Sequence, residues 1–231
     1  TAGDVIRFDL PANRRGTYLN QQMSFLKFRF NNNNGDAGNG LTPDDSAYGL
    51  INRLTVYSSS NLVEDIQNYN VLACMLMDCQ VSNNETARSG VMTLGTEDSN
   101  NNVARGGTQV DEGGSRAYCV PLISAVIGGN CSKYLPIGAL QDLRVELTLE
   151  STANGCLLEA GGGNTENYSL SNIEFVCSIV ELSSEAQAEV ERQSQGNYNI
   201  STVSWRNFQA NVASGVNSAS VLVPARFASL K

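Results

Sequence analysis

The sequence predicts an all-β protein, an antiparallel sandwich or jelly roll, on three observations. Apolar residues alternate with polar ones in several short segments, which is the pattern of strands with one buried face. Turns rich in glycine, asparagine and serine separate these segments. Hydrophobic residues make up 41% of the 231-residue chain, enough for a packed core. An α/β fold would instead alternate its strands with long helical patterns.

Two strands are predicted near the start of the chain, where every second residue is apolar. These positions are Ile6, Phe8 and Leu10 in the first strand, and Leu26, Phe28 and Phe30 in the second, where they alternate with Phe25, Lys27 and Arg29. Residues 31–40 contain only Asn, Gly, Asp and Ala. Because this composition offers nothing apolar to bury, it predicts a solvated loop.

A third strand is predicted at residues 50–57, followed by a helix. Ser and Asn at 58–61 are good helix N-caps, and apolar residues then recur at spacings of three and four. The periodic positions predict a helix over residues 62–79: Leu62, Ile66, Tyr69, Ala73, Leu76 and Met77. Glu64 and Asp65 would lie in its first turn and complement the helix dipole. Residues 82–114 form a long polar segment, which predicts a surface loop.

The second half of the chain predicts further strands at 118–122, Leu143–Leu149 and 170–180. In the clearest one, the expected core positions are Leu143, Val145, Leu147 and Leu149, which alternate with Arg144, Glu146 and Thr148. In the strand at 170–180, one side carries Ile173, Phe175, Cys177 and Ile179. A second helix is predicted from Glu185 to about Gln193, ended by Gly196. Strand patterns follow at 199–208 and 220–224.

The absence of histidine excludes whole classes of chemistry. Ser-His-Asp and Cys-His catalysis are impossible, and the commonest metal ligand is missing. We therefore predict no catalytic, cofactor-binding or metal-binding residues and no cofactor, and expect that the protein is not an enzyme. The net charge of −8 repels phosphates, so direct binding of nucleic acid is not expected. Arg14-Arg15 predicts a solvated turn or a subunit contact.

Acidic pairs and glycine runs are the remaining candidates for a site. Pairs of carboxylates occur in glycosidases and calcium sites, but adjacent acids in a loop diverge, so solvated surface charge is the favoured interpretation. The pairs are Asp44-Asp45, Glu97-Asp98 and Asp111-Glu112. The glycine runs at 106–107 and 161–163 match no phosphate-binding motif. Glycosylation at the four N-x-S/T sequences is not expected.

Six cysteines are present without a C-x-x-C pair, which removes support for zinc ribbons and thioredoxin-like sites. Residues 1–10 lack the basic and apolar pattern of a secretory signal, so we expect none there, and a core of this size does not need disulfides. We therefore predict free thiols at all six positions: 74, 79, 119, 131, 156 and 177.

Three segments together resemble a known family. They are "LINRLTVYSSSNLVEDIQNY" at 50–69, "CVPLISAVIGGNCSKYLPIGALQDLRVELTLE" at 119–150, and "SNIEFVCSIVEL" at 171–182, which is followed by a helix and "VPARFASLK". Their order resembles the first jelly roll of double jelly-roll major capsid proteins, as in virophages, Polinton-like viruses and adintoviruses. The resemblance implies two eight-stranded sandwiches that trimerise into pseudo-hexagonal capsomers of an icosahedral shell.

Partners and location follow from the same resemblance. It implies self-association as a homotrimer, contacts with neighbouring capsomers and with penton and minor capsid proteins, and a place in the virion after assembly inside the infected cell. It carries over no catalytic residues.

The domain prediction has three parts. Residues 1–182 form a jelly roll, 183–197 a connecting helix, and 198–231 the start of a second, incomplete jelly roll, because two strands alone cannot bury their apolar faces. An alternative is a jelly-roll module that binds a carbohydrate or receptor, which would need exposed aromatics on a concave sheet, whereas aromatics are only 7% of the residues. A hydrolase that uses carboxylates alone has the least support.

Overall fold

Most of the chain is described in the computed structural model: residues 3–10, 15–34, 40–43, 46–80, 110–128, 133–140, 142–151, 157–160, 167–195 and 197–208, with short pieces at 210, 214–215, 218 and 220–223. The side chains of 77–80 and 158–160 are outside this description. The strands are β1 (Val5–Asp9), β2 (Thr17–Asn32), β3 (Gly40–Pro43), β4 (Ile51–Ser58), β5 (Asn61–Gln67), β6 (Ser115–Val120), β7 (Leu143–Leu149), β8 (Leu157–Ala160) and β9 (Tyr168–Glu181). The α-helices are α1 (Tyr69–Gln80) and α2 (Ser184–Ser194).

The described strands form three antiparallel sheets. The first has the order β1-β7-β4-β5, the second β6-β2-β9, and β3 pairs with β8 in a short third sheet. The apolar faces of the two larger sheets meet in one core, so the strands form a sandwich. Non-consecutive strands are neighbours in both large sheets, which is why pairings such as β1 with β7 join distant parts of the chain.

Strand β7 confirms the predicted alternation. Leu143, Val145, Leu147 and Leu149 are buried, with 1%, 0%, 0% and 4% exposure, while the three residues between them are partly exposed. The strand lies between β1 and β4, so each core residue is covered on both sides. The predicted core residues Leu26, Phe28 and Phe30 of β2 are also buried.

Aromatic pairs join neighbouring strands of the second sheet on its core face. The ring of Phe30 stacks on Tyr168 of β9 at 5.5 Å between centroids, and Phe28 lies 5.7 Å from Tyr118 of β6. Such pairs add to the free energy of burial because they favour particular ring orientations. They therefore help to hold β2 between its two neighbours.

The helix predicted at 62–79 is wrong in its first half. Residues 61–67 form β5, which pairs antiparallel with β4 through a two-residue turn at Ser59 and Ser60. Ser59 has a positive φ of 54°, as tight hairpin turns require. The serines thus make a hairpin and not a helix cap, and Glu64 lies in a strand. The helix begins at Tyr69, and buried Tyr69 and Ala73 lie four residues apart on it.

The loop predicted at 31–40 is also partly wrong. Asn31 and Asn32 end β2, Gly40 begins β3, and residues 35–39 lie outside the described part. Asn32 and Asn34 are buried, with 1% and 7% exposure. The Asn32 side-chain amide donates to the backbone carbonyl of Val110 (2.8 Å), and the side-chain Oδ1 of Asn34 accepts from the backbone N–H of Asn167 (2.8 Å). Hydrogen bonds of this kind make burial of a polar side chain possible.

The first half of β2 was not predicted because polar residues interrupt it at an irregularity. Its register with β9 shifts between Asn20 and Phe25. The Ser24 hydroxyl donates to the Asn20 carbonyl (2.8 Å) and accepts from the backbone N–H of Ser178 (3.1 Å). Such a bulge breaks the period of two, so no alternation is visible in the sequence.

The C-terminal elements agree with the prediction in the helix and differ in the strands. Helix α2 has Ser183 as its N-cap, whose hydroxyl accepts from the N–H of Ala186 (3.3 Å), and none of its residues is buried. The strands predicted at 199–208 and 220–224 are wrong for the described residues: 197–208 and 220–223 have no strand pairing. A strand forms only beside another strand that offers free backbone groups, and an alternating pattern alone does not supply one.

Candidate interaction surface

One side of the sandwich is bounded by the edges of β1 and β9. In the described part of the chain, β1 pairs only with β7, and β9 pairs only with β2, so each strand has an outer edge without a partner strand. The two edges lie opposite one another, since the rings of Phe8 and Phe175 are 5.9 Å apart. We call this the open side.

The open side carries apolar residues that the sandwich only half covers. Tyr168 is the one buried residue of the fourteen in β9. The predicted row on β9 reaches the core only in part: Ile173, Phe175 and Cys177 are half-buried, and Ile179 is 41% exposed. Burial also raises the pKa of the Cys177 thiol, which favours its protonated form. Unpaired edges next to half-covered apolar residues are suited to packing against another protein surface.

The opposite side is closed by the loop that follows β6. Glu64 of β5 is 1% exposed. Its carboxylate accepts hydrogen bonds from the Ser124 hydroxyl and from the backbone N–H of Ala125 (2.9 and 3.1 Å). The hydroxyl of Ser204, from the segment after α2, donates to the same carboxylate (2.9 Å). No lysine or arginine of the described residues pairs with Glu64, so its charge is compensated by neutral donors alone.

The buried position of Glu64 was not predicted from the sequence. The expected helix placed this residue in an exposed first turn. The available signal was the pair of serines between two strand-like segments, with Glu64 and Ile66 two residues apart as inward positions of a second strand. The charged residue at an inward position hid that alternation.

Two buried tyrosines hold the same loop. The Tyr69 hydroxyl accepts from the backbone N–H of Ile123 (2.7 Å), and the Tyr48 hydroxyl donates to the carbonyl of Pro121 (2.6 Å). The rings of these tyrosines are 6.2 Å apart. Burial raises the pKa of both hydroxyls well above the ordinary range of tyrosine, so they remain neutral donors and acceptors. The loop is therefore fixed to β5, to α1 and to the 3₁₀ turn at Ala47–Leu50.

A bidentate ion pair on the first sheet gives a prediction about pH. Arg53 contacts Asp65 through Nε–Oδ1 (2.7 Å) and Nη2–Oδ2 (2.8 Å), and these hydrogen bonds lower the pKa of Asp65. A lowered carboxyl pKa stabilises the fold above the ordinary aspartate value, about 3.9, and this contribution is lost as the pH falls through the folded-state value. We expect Arg53→Gln to raise the pKa of Asp65, as measured by NMR titration of its carboxyl carbon.

The control for this prediction is Arg192→Gln, which removes the Arg192–Glu189 ion pair on the exposed helix α2. It should leave the pKa of Asp65 unchanged. The stability lost in Arg53→Gln should also be larger near neutral pH than in acid, where the carboxyl is protonated in both proteins. Equal losses at both pH values would contradict the assignment.

Helix α2 lies against the start of β2 at one end of the open side. Arg15 pairs with Glu191 (Nη2–Oε2 2.5 Å), and the Tyr18 hydroxyl donates to the Gln187 side-chain oxygen (2.9 Å). Of the pair Arg14-Arg15, predicted to be a solvated turn or a subunit contact, Arg15 lies in a turn and contacts its own chain, and Arg14 is outside the described residues. A cleft of about 380 Å³ separates α2 from β2 and from the turn at Ile137–Ala139. The two charged residues of its described lining, Arg15 and Glu191, are paired with each other.

The other residues singled out from the sequence do not form a site in the described structure. Asp111 and Glu112 are exposed, whereas the other two acidic pairs, the two glycine runs and most of the loop 82–114 lie outside the described residues. No group of three or more potential metal ligands is found among the described side chains. Cys74, Cys119 and Cys177 form no disulfide bond, and the other three cysteines are outside the description. No described helix is both long and apolar enough to cross a membrane.

The fold has similar solved structures among virus capsids. The quasi-atomic model of the PBCV-1 virus capsid matches with a TM-score of 0.53 and 16% identity, over 81% of this chain and 40% of that one. PBCV-1 VP54, fitted into a cryo-EM reconstruction of the virophage Sputnik, matches with a TM-score of 0.50 and 15% identity, again over 81% and 40%. No protein-family model and no curated protein sequence matches the chain.

These similarities establish the architecture. The predicted antiparallel jelly-roll sandwich is confirmed, and so is the predicted resemblance to double jelly-roll major capsid proteins at the level of the fold. This chain spans about 40% of the length of the capsid chains that it matches.

Proposed function

We propose that this chain is part of a viral major capsid protein and has a structural, non-enzymatic role in a virus shell. The observation that carries the proposal is the fold, which matches a virus capsid chain over 81% of the residues. The absence of histidine supports it, because the commonest catalytic and metal-binding side chain is missing. In this proposal the protein is located in the virion, after assembly inside the infected cell.

The proposed assembly is a homotrimer that forms a pseudo-hexagonal capsomer of an icosahedral shell. Residues 1–182 are the first sandwich, 183–197 connect it, and 198–231 lead into a second one. Cyclic symmetry with two sandwiches per chain places six sandwiches around one axis, which suits a hexagonal lattice position. Neighbouring capsomers, penton proteins and minor capsid proteins are the proposed partners, and no direct contact with nucleic acid is proposed for this acidic segment.

The open side supports the proposal as the contact surface. Its two unpaired edges and half-covered apolar row would be buried against another sandwich, of the same chain or of a neighbour. The other side of the sandwich already has a covering, namely the loop around Ser124 and Ala125. We therefore propose that packing between sandwiches uses the β1–β9 side.

The proposal predicts that the purified protein associates and that a charge on the open side prevents this. Sedimentation and electron microscopy should reveal trimers, sheets or shells. Ile179→Asp should weaken association by about 10-fold to 100-fold, because burial of an isoleucine side chain contributes about 1.5–3 kcal/mol. The matched control is Leu62→Asp, which charges a side chain of similar exposure (51%, against 41% for Ile179) on the hairpin of the other side.

Two results would contradict parts of this proposal. A protein that stays monomeric at high concentration, with no effect of either substitution, would remove the support for a capsid role. Association that Leu62→Asp abolishes and Ile179→Asp leaves intact would place the contact on the other side of the sandwich.

A further inference from the structure

Residues 197–208 cross the sandwich without joining a sheet. They follow α2, have no strand pairing, and reach from the turn near Lys133 to the strand β5. We propose that these residues are a strap that locks the β5–β6 side of the sandwich, with the Glu64–Ser204 hydrogen bond as its latch. The strap would then belong to the first sandwich, which moves the boundary proposed above at residue 197 to residue 208 or beyond.

The first part of the strap is held by polar and aromatic contacts. The Tyr198 hydroxyl donates to the carbonyl of Tyr134 (3.0 Å), and Lys133 Nζ donates to the carbonyl of Asn199 (2.9 Å). Lys133 Nζ also lies 5.6 Å from the centre of the Tyr198 ring, which is 6.2 Å from the ring of Tyr18. Partial burial beside Tyr18 raises the pKa of Tyr198, in keeping with a docked ring.

The middle of the strap places apolar side chains on the core. Ile200 and Trp205 pack against the buried cluster of the sandwich. The indole nitrogen of Trp205 is shielded from solvent, and it has no hydrogen-bond partner among the described residues. Burial of an indole without a partner for its N–H is unfavourable in itself. Other contacts must therefore keep the strap in place.

Glu64 provides such a contact at the far end. Glu64 is 1% exposed and forms no ion pair with a described lysine or arginine, so each hydrogen-bond donor to its carboxylate matters. The loop supplies the Ser124 hydroxyl and the Ala125 N–H, and the strap supplies the Ser204 hydroxyl. Arg206 adds a long contact, from Nη1 to the Asp65 carbonyl (3.5 Å). Departure of the strap would remove a donor from a buried charge and open its site to water.

The strap and the sandwich therefore stabilise each other. The strap shields the carboxylate, and the carboxylate offsets the cost of docking a segment with no regular backbone hydrogen bonds. This distinguishes 197–208 from a flexible linker, which would have no specific contacts with the domain before it. All of these contacts lie within one chain, so they do not depend on the proposed capsid role.

The test uses Trp205, which is the only tryptophan of the chain and lies within the strap. In Ser204→Ala, loss of a hydrogen bond to a charged group should raise the undocked population about tenfold or more. We expect a red shift of tryptophan emission, stronger acrylamide quenching, and about tenfold faster tryptic cleavage after Arg206, since cleavage follows the open population. The matched control is Ser201→Ala, which changes an exposed serine of the same strap and should behave as the wild type.

A double-mutant cycle identifies the latch. Glu64→Gln weakens the charge-assisted hydrogen bond, so it should move the same readouts in the same direction. The effect of the double substitution should be much smaller than the sum of the two single effects, because both substitutions remove the same interaction. Wild-type emission, quenching and cleavage in Ser204→Ala would overturn the proposal, and so would equal changes in Ser204→Ala and Ser201→Ala. Far-UV circular dichroism separates release of the strap from global unfolding.

Discussion

Replacement of Phe30 by alanine is expected to lower the free energy of unfolding by about 3–5 kcal/mol, the usual cost of a large cavity in a core. Phe30 is completely buried and its ring stacks on Tyr168 of β9. It lies on β2, which pairs with both β6 and β9, so a cavity there weakens the contacts on which the whole second sheet depends. A loss of this size is a large fraction of the stability of an ordinary domain.

The matched control is Phe25→Ala on the same strand. Phe25 is half-buried and belongs to the opposite face, as the alternation with Leu26 requires. We expect it to cost about 1 kcal/mol, in proportion to its smaller burial. Urea unfolding of both variants measures the difference, provided that the slopes are equal. Similar losses in the two variants would contradict the placement of Phe30 in the core.

The second large effect is expected for Glu64→Ala. This change leaves the Ala125 N–H and the Ser124 and Ser204 hydroxyls without their acceptor. We expect a loss of about 2–4 kcal/mol, because each buried donor without an acceptor costs about 1–3 kcal/mol. Removal of the buried charge itself recovers part of the loss, so the total is below the sum for three donors.

Glu174→Ala is the control for Glu64→Ala. Glu174 pairs with Lys27 (Nζ–Oε2 3.1 Å) on the surface, where the two side chains are 56% and 45% exposed. A pair of this kind contributes less than about 1 kcal/mol because water competes for both charges. Unfolding curves of the two variants under one condition give the comparison. A stability loss for Glu64→Ala no larger than that for Glu174→Ala would show that the carboxylate is not a structural centre.

Prediction from the sequence was most accurate for strands with one apolar and one polar face. In β7 the alternation of leucine and valine with charged residues specified which side chains are buried, and all four core positions are buried in the structure. Helix α2 was equally visible, because Ser183 before it and the glycine after it are local signals. Both cases depend on neighbours in the sequence only.

Two of the wrong predictions arose where a polar residue occupies an inward position. Glu64 on β5 and Asn32 on β2 would be unfavourable in a core without their hydrogen bonds to Ala125 and Val110. Those partners lie 61 and 78 residues away in the chain. No local pattern shows that they will be near, so the sequence favoured a helix in one case and a loop in the other.

Residue types and their spacing were enough to predict the fold class and the buried faces of the best strands, and the lack of histidine is visible in the composition. Only the folded chain shows which polar groups are buried, which sheet edges have no partner among the described strands and where residues 197–208 lie. It also shows that the strand-like pattern around Trp205 forms no strand, because a strand needs a neighbour with free backbone groups. Pairings such as β1 with β7 and β2 with β9 join distant segments, and only the folded chain specifies them.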